Sequence, residues 1–188
     1  MFIDGSAPAT FAAAPMWRIV MGLFRLLASL LLSVIVVSGA AAEPLAKPQG
    51  KVILTISGKI ANANSPKGAE FDRAMLENLG LVTVQTTTPW FDGNSRFEGV
   101  SMDKLMQLVG ASGTKIDAIA LNDYTVNVPL EDFKKFNVIL AMKRNGAYMT
   151  VRDKGPLFII YPYDSSPELQ QQLYYARSAW QIAKFVVE

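Results

Sequence analysis

The 188-residue chain has no cysteine and no histidine. Without cysteine there are no disulfides and no thiolate nucleophiles, so stability rests on packing alone. Without histidine there is no Ser-His or Cys-His catalytic pair, and the usual zinc ligands are missing. Charge of one sign is also lacking: 18 Lys and Arg face 16 Asp and Glu, with no block of either. Nucleic-acid binding requires a concentrated basic face, and this balance argues against it. Long apolar runs are scarce too. The longest, Leu26–Val37, has 12 residues broken only by Ala and Ser, short of the roughly 20 that a bilayer-spanning helix needs.

That run follows Arg18 and Arg25 and precedes Ala40-Ala41-Ala42, the pattern of a secretory signal peptide cleaved after Ala42. The expected organisation is a signal peptide over 1–42, a proline-containing linker over 43–50, and one domain over 51–188. An uncleaved anchor is the alternative reading of the N-terminus. Cleavage would place the chain in the periplasm.

Along 51–188, apolar periodicity predicts several strands with short helices between them. Strands are expected at Lys51–Ile60 (with a bulge at Gly58), Leu81–Gln85, Lys115–Leu121, Tyr124–Val128, Val138–Lys143, Tyr148–Val151, Leu157–Tyr161 and Trp180–Val187. Helices are expected at Ala69–Leu79, at Ser101–Val109 with Ser101 as its cap, at Leu130–Phe136, and from Ser166 to Tyr175. Asn122-Asp123 and Asn145-Gly146 are hairpin turns. The pattern is α+β with a mixed, largely antiparallel sheet.

Between strand Leu81–Gln85 and helix Ser101–Val109, the sequence Thr86-Thr87-Thr88-Pro89-Trp90-Phe91-Asp92-Gly93-Asn94-Ser95 predicts a long, turn-rich loop. Large aromatics on such a loop are either plugs into the core or parts of a binding site. The same two readings apply elsewhere. Asn122-Asp123-Tyr124 is either turn chemistry or a pocket edge whose carboxylate accepts a paired amino and ring N–H. Arg152, Lys154 and Gly155 are either a charged loop or an anion or carbonyl clamp. Trp180 is either core or the wall of a site, and Tyr161 either covers a strand end or adds to that wall.

Taken together, T-P-W at 88–90, F-E-G-V-S-M-D-K-L-M at 97–106, A-L-N-D-Y at 120–124, R-D-K-G-P-L-F-I-I-Y-P at 152–162 and R-S-A-W-Q at 177–181 resemble the molybdopterin-binding domain of sulfite oxidase-type oxidoreductases. The resemblance covers nearly all of 51–188. It departs at one point: where those enzymes carry a molybdenum-ligating cysteine, this chain has Gln85–Thr88, with Thr86 as the counterpart. It is closer to the small cysteine-less periplasmic pterin-binding regulators of the PruR type. That resemblance implies a sulfite oxidase-like fold, a non-covalent reduced pterin as ligand, no molybdenum and no catalysis. It also implies a membrane-bound signalling receptor that makes or degrades cyclic di-GMP as partner. The alternatives are a molybdopterin-dependent oxidoreductase with a non-cysteine ligand, and a ligand-free interaction module. The implied ligand-binding residues are Thr86, Trp90, Asp92, Asn122, Asp123, Tyr124, Arg152, Lys154, Gly155, Tyr161, Arg177 and Trp180. Six of these (Trp90, Asp123, Arg152, Lys154, Arg177 and Trp180) are expected to converge on one cleft.

Overall fold

Strands β1 (Val52–Gly58), β2 (Ala69–Asp72), β5 (Lys115–Ala120), β6 (Thr125–Pro129) and β10 (Ile182–Val187) form one sheet in the order β2-β1-β10-β5-β6. The computed structural model describes residues 45–188. Alternation builds this sheet: Leu54 and Ile56 of β1, Ile116, Ala118 and Ala120 of β5, and Val126 and Val128 of β6 all turn inward. The first and last strands, β1 and β10, run side by side in parallel, whereas the other strand pairs of this sheet are antiparallel. Helices α2 (Met102–Leu108) and α3 (Leu130–Lys135) join the same core through Met102, Leu105 and Phe133. Ser101 caps α2 as expected, its hydroxyl accepting from the Lys104 N–H at 3.3 Å.

The second sheet runs β3 (Leu81–Thr88), β4 (Phe91–Ser101), β7 (Ile139–Arg144), β8 (Ala147–Tyr148), with β9 (Phe158–Ile160) also paired to β7. Its centre is covered on both faces, which is why Ile139–Met142 of β7 and Phe158–Ile160 of β9 are unbroken apolar runs. Leu140, Met142 and Ile159 enter the main core. Ile139, Ala141, Phe158 and Ile160 turn the other way, into a smaller cluster with Val84 and Phe97.

Several local expectations change. Ala69–Leu79 is not one helix: Ala69–Asp72 extends along β1, and only Arg73–Asn78 coils as α1. The switch occurs at Asp72, whose carboxylate caps the Met75 N–H and also accepts from Gln49 and Gly50. These hydrogen bonds hold the Asp72 carboxyl below its ordinary pKa, the Met75 cap contributing most. Gly58 is not a bulge. The register shift in β1 lies between Val52 and Leu54, and Gly58 is needed for its φ of 88° and for the approach of the Val187 carbonyl. The helix expected from Ser166 splits into a 3₁₀ turn, Pro167–Leu169, and α4 (Gln172–Arg177). The long loop after Gln85 is instead a hairpin: β3 continues to Thr88, turns at Pro89-Trp90, and returns as β4. Asp92–Ser95 therefore lies on a strand, and a register shift between Thr87 and Thr88 leaves Asp92 and Gly93 without partners on β3. In the segment expected to be a linker, residues 45–50 form neither helix nor strand, and Leu45 packs against the core. The signal peptide expected over 1–42 lies outside the described residues.

Candidate functional site

Three separated parts of the chain meet around a cleft of about 530 Å³, a size that suits a small organic ligand. Pro89 and Trp90 come from the β3–β4 turn, and Ala120, Asn122 and Tyr124 from the β5–β6 turn. Gln172, Tyr175 and Ala176 come from α4, and Ser178, Ala179 and Trp180 from the link to β10. That link is held by main-chain hydrogen bonds on both sides. Ile159 donates to Ala179 at 3.0 Å, Gln181 to Lys154 at 3.1 Å and Leu121 to Gln181 at 2.9 Å. The Asn122-Asp123 turn is equally fixed: Asp123 donates to the Ala120 carbonyl and Ala120 to the Tyr124 carbonyl. Asp123 takes φ of 63°, a left-handed conformation that Asp and Asn tolerate.

The walls are aromatic. Trp90 is half-buried, with ring centroids of Phe158, Trp180, Tyr175 and Tyr163 at 5.3, 5.7, 6.1 and 6.2 Å, three of them edge-on. Such edge contacts lock a ring in place, so Trp90 is both wall and core. The polar groups are the Asn122 and Gln172 amides, the Tyr hydroxyls and the buried Ser178. The Ser178 hydroxyl donates to the Tyr174 carbonyl at 2.8 Å and meets the Tyr163 hydroxyl. Burial pushes the Tyr163 phenol well above its ordinary pKa, so it stays protonated. No acidic or basic side chain is part of the lining.

Of the twelve residues expected to bind ligand, the fold brings Trp90, Asn122, Tyr124 and Trp180 to the cleft. Lys154 reaches it only through Trp180, its Nζ 4.0 Å from that ring's centroid, and desolvation lowers the amine's pKa. The others lie elsewhere. Arg177 donates to Asp132 Oδ2 at 2.7 Å, and the Tyr161 hydroxyl donates to the same oxygen at 2.7 Å. Burial first, and then the Asp132 carboxylate, push the Tyr161 phenol far up. Thr86 is fully buried; its hydroxyl accepts from Asp164 N–H at 3.1 Å and donates to the Thr87 carbonyl at 3.2 Å. Gly155 answers a packing demand, since a Cβ there would lie 1.9 Å from the Met149 carbonyl oxygen. Asp92, Asp123 and Arg152 are exposed and do not line the cleft. The six-residue convergence therefore reduces to Trp90 and Trp180, with Lys154 behind the latter. Its expected charges are spent on the fold or left in solvent.

Gln172, Tyr175 and Ser178 join the cleft without having been anticipated. Gln172 carries no sequence signal. Tyr175 had one: on a helix, Tyr174 and Tyr175 point about 100° apart, so if one enters the core the other faces elsewhere. Tyr174 is the buried member of the pair.

No protein-family model matches the chain, and no curated protein matches it in sequence. Among solved structures it is similar to the sulfane dehydrogenase SoxCD from Paracoccus pantotrophus. The TM-score is 0.52 and the identity 15%, over 71% of this chain and 37% of that one. The chain has the sulfite oxidase-like molybdopterin-binding fold, α+β with mixed, largely antiparallel sheets and short helices. Its residues do not fit the metal that this fold family holds. Soft thiolate is absent, the Thr86 hydroxyl is engaged by main chain, and no cluster of three Asp or Glu able to hold a metal occurs among the described residues.

Proposed function

We propose that this chain is a non-catalytic, exported pterin-binding protein that holds a reduced pterin in the Trp90–Trp180 cleft. It presents that ligand to a membrane-bound receptor with a periplasmic sensor domain, in a pathway that makes or degrades cyclic di-GMP. The observation that carries the binding role is a neutral, aromatic-walled cleft in a chain with the sulfite oxidase-like molybdopterin-binding fold. A free reduced pterin is uncharged near neutral pH and keeps a flat aminopyrimidinone ring. It asks for ring-face contacts, which Trp90, Tyr124, Tyr175 and Trp180 can offer, and for planar hydrogen-bonding edges, which the Asn122 and Gln172 amides can offer. The absence of catalysis is supported by a chain without cysteine or histidine and by the engaged Thr86 hydroxyl. Export rests on the Arg25–Ala42 pattern. The receptor rests on the resemblance to periplasmic regulators.

Mass spectrometry of small molecules released from protein isolated from its native compartment tests the proposal, together with calorimetric titration of the emptied protein with a reduced pterin. Release of a pterin and saturable one-to-one binding are expected. Absence of both leaves the ligand-free interaction module. Stoichiometric molybdenum in the same material favours the oxidoreductase. N-terminal sequencing is expected to begin at or near Glu43.

A further inference from the structure

We infer that the outer edge of β3 is a self-association surface through which two copies of this chain pair antiparallel about Thr83. β3 is an end strand of its sheet, eight residues long, and Leu81–Thr88 contains neither proline nor charge. The other edges carry the usual protections. β2 has four residues with Glu70 and Asp72, β6 ends in Pro129, and β8 and β9 have two and three residues. A long, uncharged, β-branched edge without such devices invites another strand.

The register identifies which groups are free. The Thr87 N–H points away from β4, donating to Asp164 Oδ2 at 2.7 Å. Arg96, opposite Gln85, turns its own N–H and C=O toward Asn145 on the far side of β4. By strand alternation, the main-chain groups of Leu81, Thr83 and Gln85 then face outward, and no partner for them occurs among the described residues. Beyond Thr87 the Tyr163–Ser165 turn covers the edge. Before Leu81, Gly80 at φ 90° takes the chain away from it. The open stretch is therefore Leu81–Gln85.

A second copy fits this stretch because the strand is self-complementary. Pairing about Thr83 sets Leu81 against the other copy's Gln85 and Thr83 against itself, closing about six main-chain hydrogen bonds. Val82, 42% exposed, meets the other copy's Val84. No like charges meet along the strand. The ends are complementary in charge: Lys104, which donates to the Leu79 carbonyl, lies at one end of the edge, and Asp164, held on Thr87, lies at the other. A two-fold axis at Thr83 brings each copy's Lys104 toward the other's Asp164, as an isologous contact requires.

Sedimentation equilibrium of the exported protein, isolated from its native compartment, from about 10 µM to about 1 mM spans the range of a weak strand-edge contact. A concentration-dependent dimer is expected, and Thr83→Lys, at an exposed position, should return it to monomer with an unchanged circular-dichroism melt. Hydrogen exchange provides a test without mutation: the Leu81, Thr83 and Gln85 amides should become more protected as concentration rises. A wild-type chain that stays monomeric overturns the proposal and leaves the edge to a strand from another protein. A dimer that Thr83→Lys leaves intact, with those amides unprotected, overturns it equally.

Discussion

Helix α4 divides two aromatic-rich neighbourhoods that share a wall and differ in charge and in openness. One face of it, through Gln172, Tyr175 and Ala176, borders the open cleft. The other, through Tyr174 and Arg177, closes onto Asp132 and Tyr161. The closed side holds the charge: Asp132 is 3% exposed and accepts from both Arg177 and Tyr161. The open side is neutral. A buried carboxylate must be paired where it is buried, so the Arg177 guanidinium is held on Asp132 and is not part of the cleft lining. The comparison teaches that ionisable residues near a site are not thereby part of it. In this chain they build the scaffold, and aromatic and amide groups form the surface.

The largest expected effect breaks the closed side. Asp132→Ala leaves Arg177 without its partner and should cost about 3–5 kcal/mol, read by urea denaturation. A loss below about 1 kcal/mol would mean that the pair is a surface ornament and the division of α4 is wrong. Trp90→Ala strikes the shared wall. With four aromatic neighbours it should lose about 3 kcal/mol of stability as well as pterin binding. An unchanged melt with lost binding would assign Trp90 wholly to the ligand.

Tyr124→Ala isolates the open side, because Tyr124 is 58% exposed yet lines the cleft. Stability should move by less than about 0.5 kcal/mol. Pterin affinity should fall by about 1–3 kcal/mol, the scale of base–aromatic stacking; calorimetry distinguishes the two. The smallest effect concerns Lys154. Desolvation holds its folded pKa below the ordinary 10.5, so between those values the unfolded chain binds more protons and stability rises with pH. Below that window the penalty is fully present. Lys154→Met should flatten this alkaline rise in thermal melts. A rise that persists in the variant would belong to another group.

Legibility in the sequence followed the range of the forces involved. The Lys115–Ala120 alternation, the Ser101 cap and the Asn145-Gly146 turn were readable because each is decided within a few residues. Ala69–Leu79 misled because Phe71, Met75 and Leu79 recur at helical spacing, yet β1 offered Ala69–Asp72 a ladder. The Asp92–Ser95 turn signal was real but weaker than eight residues of pairing between β3 and β4. Four of the twelve expected ligand residues line the cleft, those being aromatics and a turn amide. Arg177 and Tyr161 do not, because a single buried acid far along the chain, Asp132, claims both.

Composition and local periodicity, complete before folding, were enough for the α+β class, the Ser101 cap, the Asn122-Asp123 and Asn145-Gly146 turns, and the exclusion of thiolate and imidazole chemistry. Only the tertiary structure decided that β1 and β10 lie side by side, that Trp90, Tyr124, Tyr175 and Trp180 share one cleft, and that its lining is uncharged. Each of those depends on which distant groups a buried surface must satisfy. That selection is made by desolvation across the whole chain, and no short window of sequence contains it.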